Sequence, residues 1–356
     1  MATNKEQHTM YTSDISELTG ISDRVEETAP KAPQGLWSHI RRLVSGAPAE
    51  EHDKGRALRR AVRSQDLELV REMISKGFGV NEAQEASLAC IAARRTNLEM
   101  LQLLVEAGVD INRPDRRSQT SKARTALQEA SRKGWVEGVE FLLDLGANVD
   151  DCEEGDATAL HIASRMGHEN VVRLLLRRRA EPCGAKNSIT SPLHETSSPA
   201  IMKMLLQAGA RVNQRDRNKC TPLHLQAYSG RPELVKMLID AQADVQTFDR
   251  KGRTPAFLLG GRGEPVEVYK LLKQSGMVFT TRDLNENNLA HAVAHRANNI
   301  DILEAVFEDA PQLWLEKNAS GQTPLDVLQL RNQNEWLTKM QKRVDQFQCT
   351  KQSLGN

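Results

Sequence analysis

The sequence is poor in cysteine, and its five cysteines form no recognisable pattern. They are odd in number, widely spaced and never arranged as Cys-x-x-Cys, which disfavours both a disulfide framework and a zinc module. Cysteines of this kind are typical of proteins in a reducing compartment. Their positions are Cys90, Cys152, Cys183, Cys220 and Cys349.

Long apolar runs and a strong net charge are also missing. No run approaches the roughly 18 residues of a membrane span, and the polar start of the sequence lacks the apolar core of a signal peptide. The formal net charge is +1, so no global field draws the chain toward nucleic acid or an anionic membrane. We therefore expect a cytoplasmic or nuclear protein that binds neither membranes nor nucleic acid directly.

Signatures of catalysis are absent as well. The sequence has no Gly-x-Ser-x-Gly elbow, no Gly-x-x-x-x-Gly-Lys-Ser/Thr loop and no Gly-x-Gly-x-x-Gly after a strand. His291 and His295 stand four residues apart, a helical spacing that can hold zinc, but Ala292 replaces the glutamate of the zinc protease motif. We expect no enzyme, no cofactor and no metal.

The clearest structural signal in the sequence lies in residues 220–245. Thr221 can cap a helix, Pro222 suits its first turn and Leu223 begins an apolar stripe. A pair of helices this short cannot bury its apolar face alone, so the pattern predicts a stack of such pairs. After a turn at Gly230, apolar residues return at the helical spacing of Leu234, Val235, Leu238 and Ile239.

The predicted stack is visible as a period in the sequence. An apolar residue near the start of each first helix recurs at intervals of 30 to 39 residues, and four of the eight intervals are 33. Deviations of three or six residues are expected of insertions and deletions in turns. The recurring positions are Leu58, Leu88, Leu127, Leu160, Leu193, Leu223, Ala256, Leu289 and Leu325.

Three segments within this period share a motif: Thr158-Ala159-Leu160-His161-Ile162-Ala163, Ser191-Pro192-Leu193-His194 and Thr221-Pro222-Leu223-His224. They resemble the Thr-Pro-Leu-His-x-Ala signature of the ankyrin repeat, whose period is about 33 residues. The resemblance covers about residues 55–345. It implies an all-α solenoid of eight to nine stacked helix-turn-helix units, with β-hairpin-like fingers between units and a concave surface formed by the fingers and first helices. It also implies that the three histidines tie neighbouring units together through backbone hydrogen bonds.

The two ends of the sequence depart from the array over 55–345. Residues 1–54 are acidic and mostly lack apolar residues, so we expect disorder with one short amphipathic helix at 36–44. That helix either caps the first unit or docks in a groove of a partner. We expect fraying after about residue 349, in a tail at 346–356. A capping helix is predicted by the apolar spacing of Leu337, Met340, Val344 and Phe347.

Some departures fall inside the array. Arg179 and Gln242 stand where other units close with glycine, and a left-handed backbone without glycine costs about 1–2 kcal/mol. We therefore expect these two turns to close differently. Compared with the equivalent turn in other units, the turn at 196–199 is about three residues shorter and the turn at 260–265 is one residue longer. We therefore expect irregular stacking beside both turns.

Charge is concentrated in three predicted fingers. The longest finger has five basic residues and one acidic residue, Asp115, which gives it a net charge of +4. The next finger has five acidic residues, and a third finger has a net charge of +3. These charges either keep the array soluble or form a bipolar surface that selects and orients a partner. The candidate contacts are Arg113, Arg116 and Arg117, then Asp151, Glu153 and Glu154, then Arg215, Arg217 and Lys219.

Further candidate contacts lie near the turns inside the units. Aromatic residues make up only 4% of the sequence, so Trp135 and Tyr228 are candidate anchors for a partner, although Trp135 serves equally well to fill space between units. The remaining candidates are expected to line the same face from equivalent positions, and they are Arg132, Lys133, Arg165 and Met166.

These features favour a non-enzymatic adaptor or scaffold, expected to be a monomer, that holds a partner protein on the concave face and fingers of the array. The alternative is a transcriptional co-regulator that acts in the nucleus through a protein partner. Residues 1–54 contain no basic helix, which disfavours direct contact with DNA.

Overall fold

The structure, a computed structural model, describes residues 51–81, 87–115, 123–152, 157–184, 190–260 and 262–354. The short helix expected at 36–44 lies outside the described residues. Within the described ranges, all regular secondary structure is helical apart from one isolated bridge between Asp115 and Arg124. The predicted all-α repeat fold is confirmed.

Nine successive helix pairs, units 1 to 9, can be followed through the described residues. Each unit has a first and a second helix, but in unit 7 the first is a 3-10 turn, and another 3-10 turn at Pro311–Leu315 precedes unit 9. The pairs, in order, are Glu51–Ser64 and Leu67–Ser75; Leu88–Arg94 and Leu98–Glu106; Ala126–Lys133 and Val136–Asp144; Ala159–Met166 and Glu169–Arg177; Pro192–Glu195 and Pro199–Gln207; Pro222–Ser229 and Pro232–Asp240; Pro255–Leu258 and Pro265–Gln274; Leu289–Arg296 and Asp301–Asp309; Pro324–Leu330 and Asn334–Leu354.

The core runs along the stack rather than within any one unit. First helices pack against first helices of the next unit, and second helices against second helices. Full burial of one leucine side chain stabilises the fold by about 1.5–3 kcal/mol, and here that burial needs both neighbours. One leucine of each second helix in units 2 to 6 is wholly buried in this way: Leu104, Leu142, Leu175, Leu205 and Leu238.

The first helices begin at capping residues that set the repeat register. In unit 4, His161 N donates to Thr158 Oγ1 (3.4 Å) and Thr158 N donates to His161 Nδ1 (3.2 Å), a reciprocal capping box. By this register the equivalents of Leu127 are Ala89 and Ala290, so the alignment on Leu88 and Leu289 was wrong by one position. The caps of units 2 to 9 are Ser87, Thr125, Thr158, Ser191, Thr221, Thr254, Asn288 and Thr323.

Two turns expected to close differently close as the others do. Arg179 has φ 63° and Gln242 has φ 66°, both left-handed like Gly146 at 82°. Gln242 N donates to Ile239 O (2.9 Å), as Gly146 N does to Leu143 O (3.0 Å). The prediction was wrong because the closing hydrogen bonds of the stacked turn outweigh a local strain of about 1 kcal/mol.

The shortened turn and the last helix complete the fold. In unit 5 the first helix, Pro192–Glu195, is a single turn, which agrees with the irregularity predicted beside residues 196–199. At the end of the array, Met340 and Val344 are buried on the predicted apolar stripe. The helix runs to Leu354, past residue 349 where fraying was expected. The ring of Phe347 in this last helix packs edge-on against the ring of Phe307, with 6.4 Å between the ring centroids. This contact continues the core beyond unit 8.

Candidate functional site

A periodic set of hydrogen bonds from the third residue after the cap joins many of the successive units. His161 Nε2 donates to Thr190 O (2.8 Å), His194 Nε2 to Cys220 O (3.1 Å) and His224 Nε2 to Arg253 O (3.0 Å). Each acceptor is the carbonyl directly before the next cap. The predicted role of these three histidines as ties between units is confirmed.

The same register contains ties that the sequence did not reveal. His291 Nε2 donates to Gln322 O (2.8 Å), and Gln128 Nε2 donates to Ala157 O (3.0 Å). His291 Nδ1 accepts from Asn288 N at 3.4 Å, so both ring nitrogens are occupied. In the described ranges no three histidine, cysteine, aspartate or glutamate side chains are grouped to hold a metal ion.

Burial fixes the protonation of the tying histidines. It lowers the pKa of His161, His194 and His224 to about 4, because the charged ring would lose its hydration. Each ring is therefore neutral near pH 7, with Nε2 as the donor and Nδ1 as the acceptor. These histidines act as structural groups and are not available as acids or bases.

A cluster of charges surrounds Glu129 on the first helices of units 2 and 3. Its Oε1 lies 3.2 Å from Arg94 Nη2 and 3.5 Å from Arg124 Nη1, and its Oε2 lies 3.0 Å from Arg132 Nε. Arg94 Nη2 also lies 3.3 Å from Asp115 Oδ2. The carboxylates are 3% and 6% exposed, whereas the guanidinium side chains are 20–36% exposed. Three cations thus surround two buried anions.

The cluster holds its arginines in fixed positions. Burial alone would raise the pKa of Glu129, but the guanidiniums of Arg94, Arg132 and Arg124 outweigh burial and hold the pKa below its usual value. Glu129 is therefore ionised near neutral pH. Guanidiniums fixed in this way can bind a carboxylate through two parallel hydrogen bonds.

The arginines follow the repeat. Arg94, Arg132 and Arg165 are each the seventh residue after the cap in units 2, 3 and 4, and Tyr228 has this place in unit 6. Arg165 is exposed, with Nη1 4.0 Å from Glu195 Oε2. Lys133 and the 48% exposed Met166 are the next residues along. We call Arg94, Arg132, Lys133, Arg165 and Met166 the first-helix face.

The other candidate contacts are more engaged with the array than the sequence suggested. Trp135 is half-buried, and its ring covers Gly138, where a Cβ would lie only 2.0 Å from Cε3. Tyr228 is half-buried too, with Arg262 Cζ 5.9 Å from its ring centroid. This placement of Trp135 favours its role in filling space.

In the first two charged fingers, the described candidates also contact the array. Arg113 Nη1 donates to Asn81 O (2.5 Å), and Asp151 O accepts from Gln128 Nε2 (3.0 Å). The remaining candidates of these fingers lie outside the described residues: Arg116, Arg117, Glu153 and Glu154.

The fingers before units 6 to 9 share one construction. In the first of them, Asp216 Oδ1 accepts from Asn218 N (2.8 Å) and Cys220 N (2.7 Å), and Asp216 N donates to Cys220 O (2.9 Å). Arg215, Arg217 and Lys219 are exposed around this turn. The four are finger 6 (215–220), finger 7 (248–253), finger 8 (282–287) and finger 9 (317–322), with Asp216, Asp249, Asp283 and Asn318 as the accepting residues.

Comparison with known proteins agrees with the helix pairs, caps and ties. The family described as Ankyrin repeats (3 copies) matches residues 113–187 and 193–283. Over these residues the chain consists of ankyrin repeats. Ankyrin repeats form a protein–protein interaction domain, so the array has the architecture of a surface for protein partners.

Relatives of this chain differ widely in name. Inversin of Homo sapiens is 34% identical over 110 residues, which cover 30% of this chain and 10% of inversin. The probable E3 ubiquitin-protein ligase XBOS34 of Oryza sativa subsp. japonica is 30% identical over 167 residues, 44% of this chain and 31% of that protein. Palmitoyltransferase ZDHHC13 of Mus musculus is 28% identical over 260 residues, 71% of this chain and 35% of that protein. The chain thus spans about a third or less of these relatives.

Among the helices that the structure describes, none combines the length and the apolar character needed to cross a membrane.

Proposed function

We propose that this chain is a non-enzymatic adaptor that holds a partner protein on the first-helix face and the fingers. The observation that carries the proposal is the row of arginines at one repeat position, of which Arg94 and Arg132 are held by the buried carboxylates of Glu129 and Asp115. Because these side chains are ordered before binding, a partner meets little cost in conformational entropy. The finger candidates Arg113 and Asp151, and Trp135 beside the turn inside unit 3, would extend the contact area.

A non-catalytic role is supported by how the reactive side chains are used. Each histidine at the third position after a cap has both ring nitrogens in hydrogen bonds, and burial raises the pKa of the Cys90 thiol to about 12. Buried thiols of this kind are poor nucleophiles. We further propose a monomer that acts in the cytoplasm or nucleus, where its free cysteines would remain reduced.

Affinity purification from cells tests the adaptor role. The variant replaces three exposed residues that make few contacts in the array, Lys133→Ser, Arg165→Ser and Met166→Ser, and we expect recovery of bound proteins to fall about tenfold. The matched control replaces exposed cations on the second helices of units 4, 5 and 6, and should bind as the wild type does. Its substitutions are Arg173→Ser, Lys203→Ser and Lys236→Ser.

Two results would count against the adaptor hypothesis. One is full recovery of partners by the first-helix variant, and the other is an equal loss in the second-helix control. Circular dichroism of both variants establishes that neither loss reflects unfolding.

A further inference from the structure

Fingers 6 and 7 form one rigid piece. Arg250 N donates to Asn218 O (2.7 Å), and Arg250 Nη2 donates to Arg217 O (2.6 Å). Arg215 Nη2 also donates to Phe248 O. Because backbone and side-chain bonds both cross between the fingers, the groups at their tips keep fixed relative positions.

The carboxylates of these two fingers are used internally. Asp216 and Asp249 are 7% and 5% exposed, and each accepts N–H groups of its own turn. Asp249 Oδ2 also accepts from Arg253 Nε at 2.8 Å. Within the described residues, the exposed cations of these two fingers form no ion pair with a carboxylate at 4.0 Å or less. These cations are Arg215, Arg217, Lys219 and Arg250.

Arg282 in finger 8 stands at the position equivalent to Arg215 but binds carboxylates. Like Arg215, it directly precedes the buried aspartate of its finger. Arg282 Nη2 lies 2.9 Å from Glu316 Oε2, and Nε lies 4.0 Å from Glu286 Oε2. Arg215 Nε instead donates to Lys219 O (3.2 Å), a neutral acceptor. Equivalent arginines thus bind carboxylates in finger 8 and neutral carbonyl groups in finger 6.

Two large apolar side chains stand beside these cations. Phe248 of finger 7 is 46% exposed, and Leu284 of finger 8 is 75% exposed. Leu284 N donates to Lys251 O (3.0 Å), and its Cγ would lie 3.5 Å from a Cβ built on Gly252. Both apolar groups are therefore fixed to finger 7. Exposed apolar side chains next to a charged rim are typical of protein interaction sites.

We propose that fingers 6 and 7, together with Leu284, bind an acidic segment of the partner protein that carries apolar side chains among its carboxylates. The inference rests on the proposed adaptor function. Fixed guanidiniums match carboxylates in two-pronged geometry, and Phe248 and Leu284 offer area that a phosphodiester backbone cannot bury. The net charge of +1 provides no long-range attraction to nucleic acid or anionic lipid.

Fluorescence anisotropy of the full chain tests the inference with a labelled 12-residue peptide of eight acidic and four leucine or phenylalanine residues. We expect saturable binding that weakens with salt. The variant R217S/K219N should bind about tenfold more weakly; asparagine tolerates the left-handed backbone of Lys219, φ 59°. The matched control R282S removes a neutralised cation and should change affinity less than about twofold.

Peptide controls separate the two parts of the surface. Replacing the acidic residues by their amides should abolish binding, and replacing the apolar residues by serine should weaken it about fivefold, as should F248S/L284S in the protein. Absence of saturable binding would overturn the inference, as would an equal loss in R282S.

Two comparisons define what a negative result means. A 12-nucleotide single-stranded RNA or a phosphatidylserine vesicle that binds more tightly than the peptide, and is lost in R217S/K219N, would reassign the surface to phosphate groups. If the chain still recovers partners through the first-helix face but binds no acidic peptide, this inference fails and the adaptor function stands.

Discussion

Units 2 to 4 and units 6 to 9 use their carboxylates in different ways. In the first region, Glu129 and the finger residue Asp115 face arginines of the first helices and hold them in place. In the second, Asp216, Asp249 and Asp283 accept the N–H groups of their own finger turns. The same fold therefore produces ion-paired arginines on the first helices of units 2 and 3, and exposed arginines without an ion pair among the described residues on fingers 6 and 7.

The difference begins with finger length. Asp115 N donates to Arg124 O (2.8 Å) across eight intervening residues, whereas Asp216 N donates to Cys220 O (2.9 Å) across three. The short turn brings its N–H groups within reach of Asp216 Oδ1, while Asp115 Oδ2 lies near Arg94.

Acidification should weaken both regions together and produce the largest effect. The stabilisation from neutral His161, His194 and His224 is complete above pH 6.5 and is lost as the pH falls toward their folded pKa of about 4. We expect a loss of about 2 kcal/mol for each by pH 5, measured by urea unfolding at pH 7 and 5. His224→Gln keeps a donor, as Gln128 does, and should show a smaller loss. If the wild type and His224→Gln lose the same free energy of unfolding between pH 7 and pH 5, the assignment of His224 as a neutral structural group is wrong.

Removal of the central anion should damage the first region selectively. Glu129→Gln leaves three guanidiniums around one remaining carboxylate, and we expect the free energy of unfolding to fall by about 3 kcal/mol at pH 7. The control is Glu195→Gln, whose carboxylate is 18% exposed and 4.0 Å from Arg165; it should cost less than about 1 kcal/mol. Equal costs would mean that the Glu129 cluster is no more than a surface ion pair.

Loss of a finger carboxylate should damage the second region. Asp283→Ala removes a buried carboxylate that accepts from Asn285 N and Asn287 N, at a cost of about 2 kcal/mol. Asp283→Asn should cost much less, because Asn318 Oδ1 accepts the equivalent bonds in finger 9. Thermal unfolding of both variants measures the difference in stability. A larger loss of stability for Asp283→Asn than for Asp283→Ala would contradict the idea that fingers 8 and 9 use the same hydrogen-bonded turn.

The smallest expected effect is a gain in stability. Gln242→Gly relieves the left-handed backbone at φ 66° and should raise the free energy of unfolding by about 1 kcal/mol. Lys236→Gly, on an exposed position inside the preceding helix, should lower it by about as much. A destabilised Gln242→Gly would show that this side chain contributes more than its strain costs.

Much of the fold was predictable because its determinants are local. The motif at Thr221, the closing glycines and the apolar stripe around Met340 each depend on residues within one or two helical turns, and the helix pairs confirm them. The alignment slipped at units 2 and 8 because Leu88 and Leu289 follow their caps directly. Alignment on caps would have placed His291 among the tying histidines.

The candidate surface was harder to predict because its contacts join distant residues. Arg94 and Glu129 meet across two units, and formal charge alone does not show that Glu129 is the centre of the cluster. In finger 6, a count of formal charges sets Asp216 against the neighbouring arginines. The structure shows instead that the carboxylate of Asp216 accepts a backbone N–H group of its own turn. Arg250 and Phe248 join the same surface from the next finger, 33 residues after Arg217 and Arg215 respectively.

Phe257 interrupts the series of ties between units. It is the third residue after the cap of unit 7, where histidine, glutamine or cysteine in units 2 to 6 and unit 8 donates to the next unit, and it is 1% exposed. In the described residues, no side chain of Pro255–Leu258 donates a hydrogen bond to unit 8, so that boundary is carried by apolar packing, by the bond from Leu284 N, and by bonds from Tyr269 and Lys273 to Asp309 on the second helix of unit 8. Cooperativity in a linear array depends on its weakest interface. The boundary between units 7 and 8 therefore depends on the carboxylate of Asp309, and loss of that carboxylate should let the amides of units 8 and 9 exchange with solvent before those of units 4 to 6.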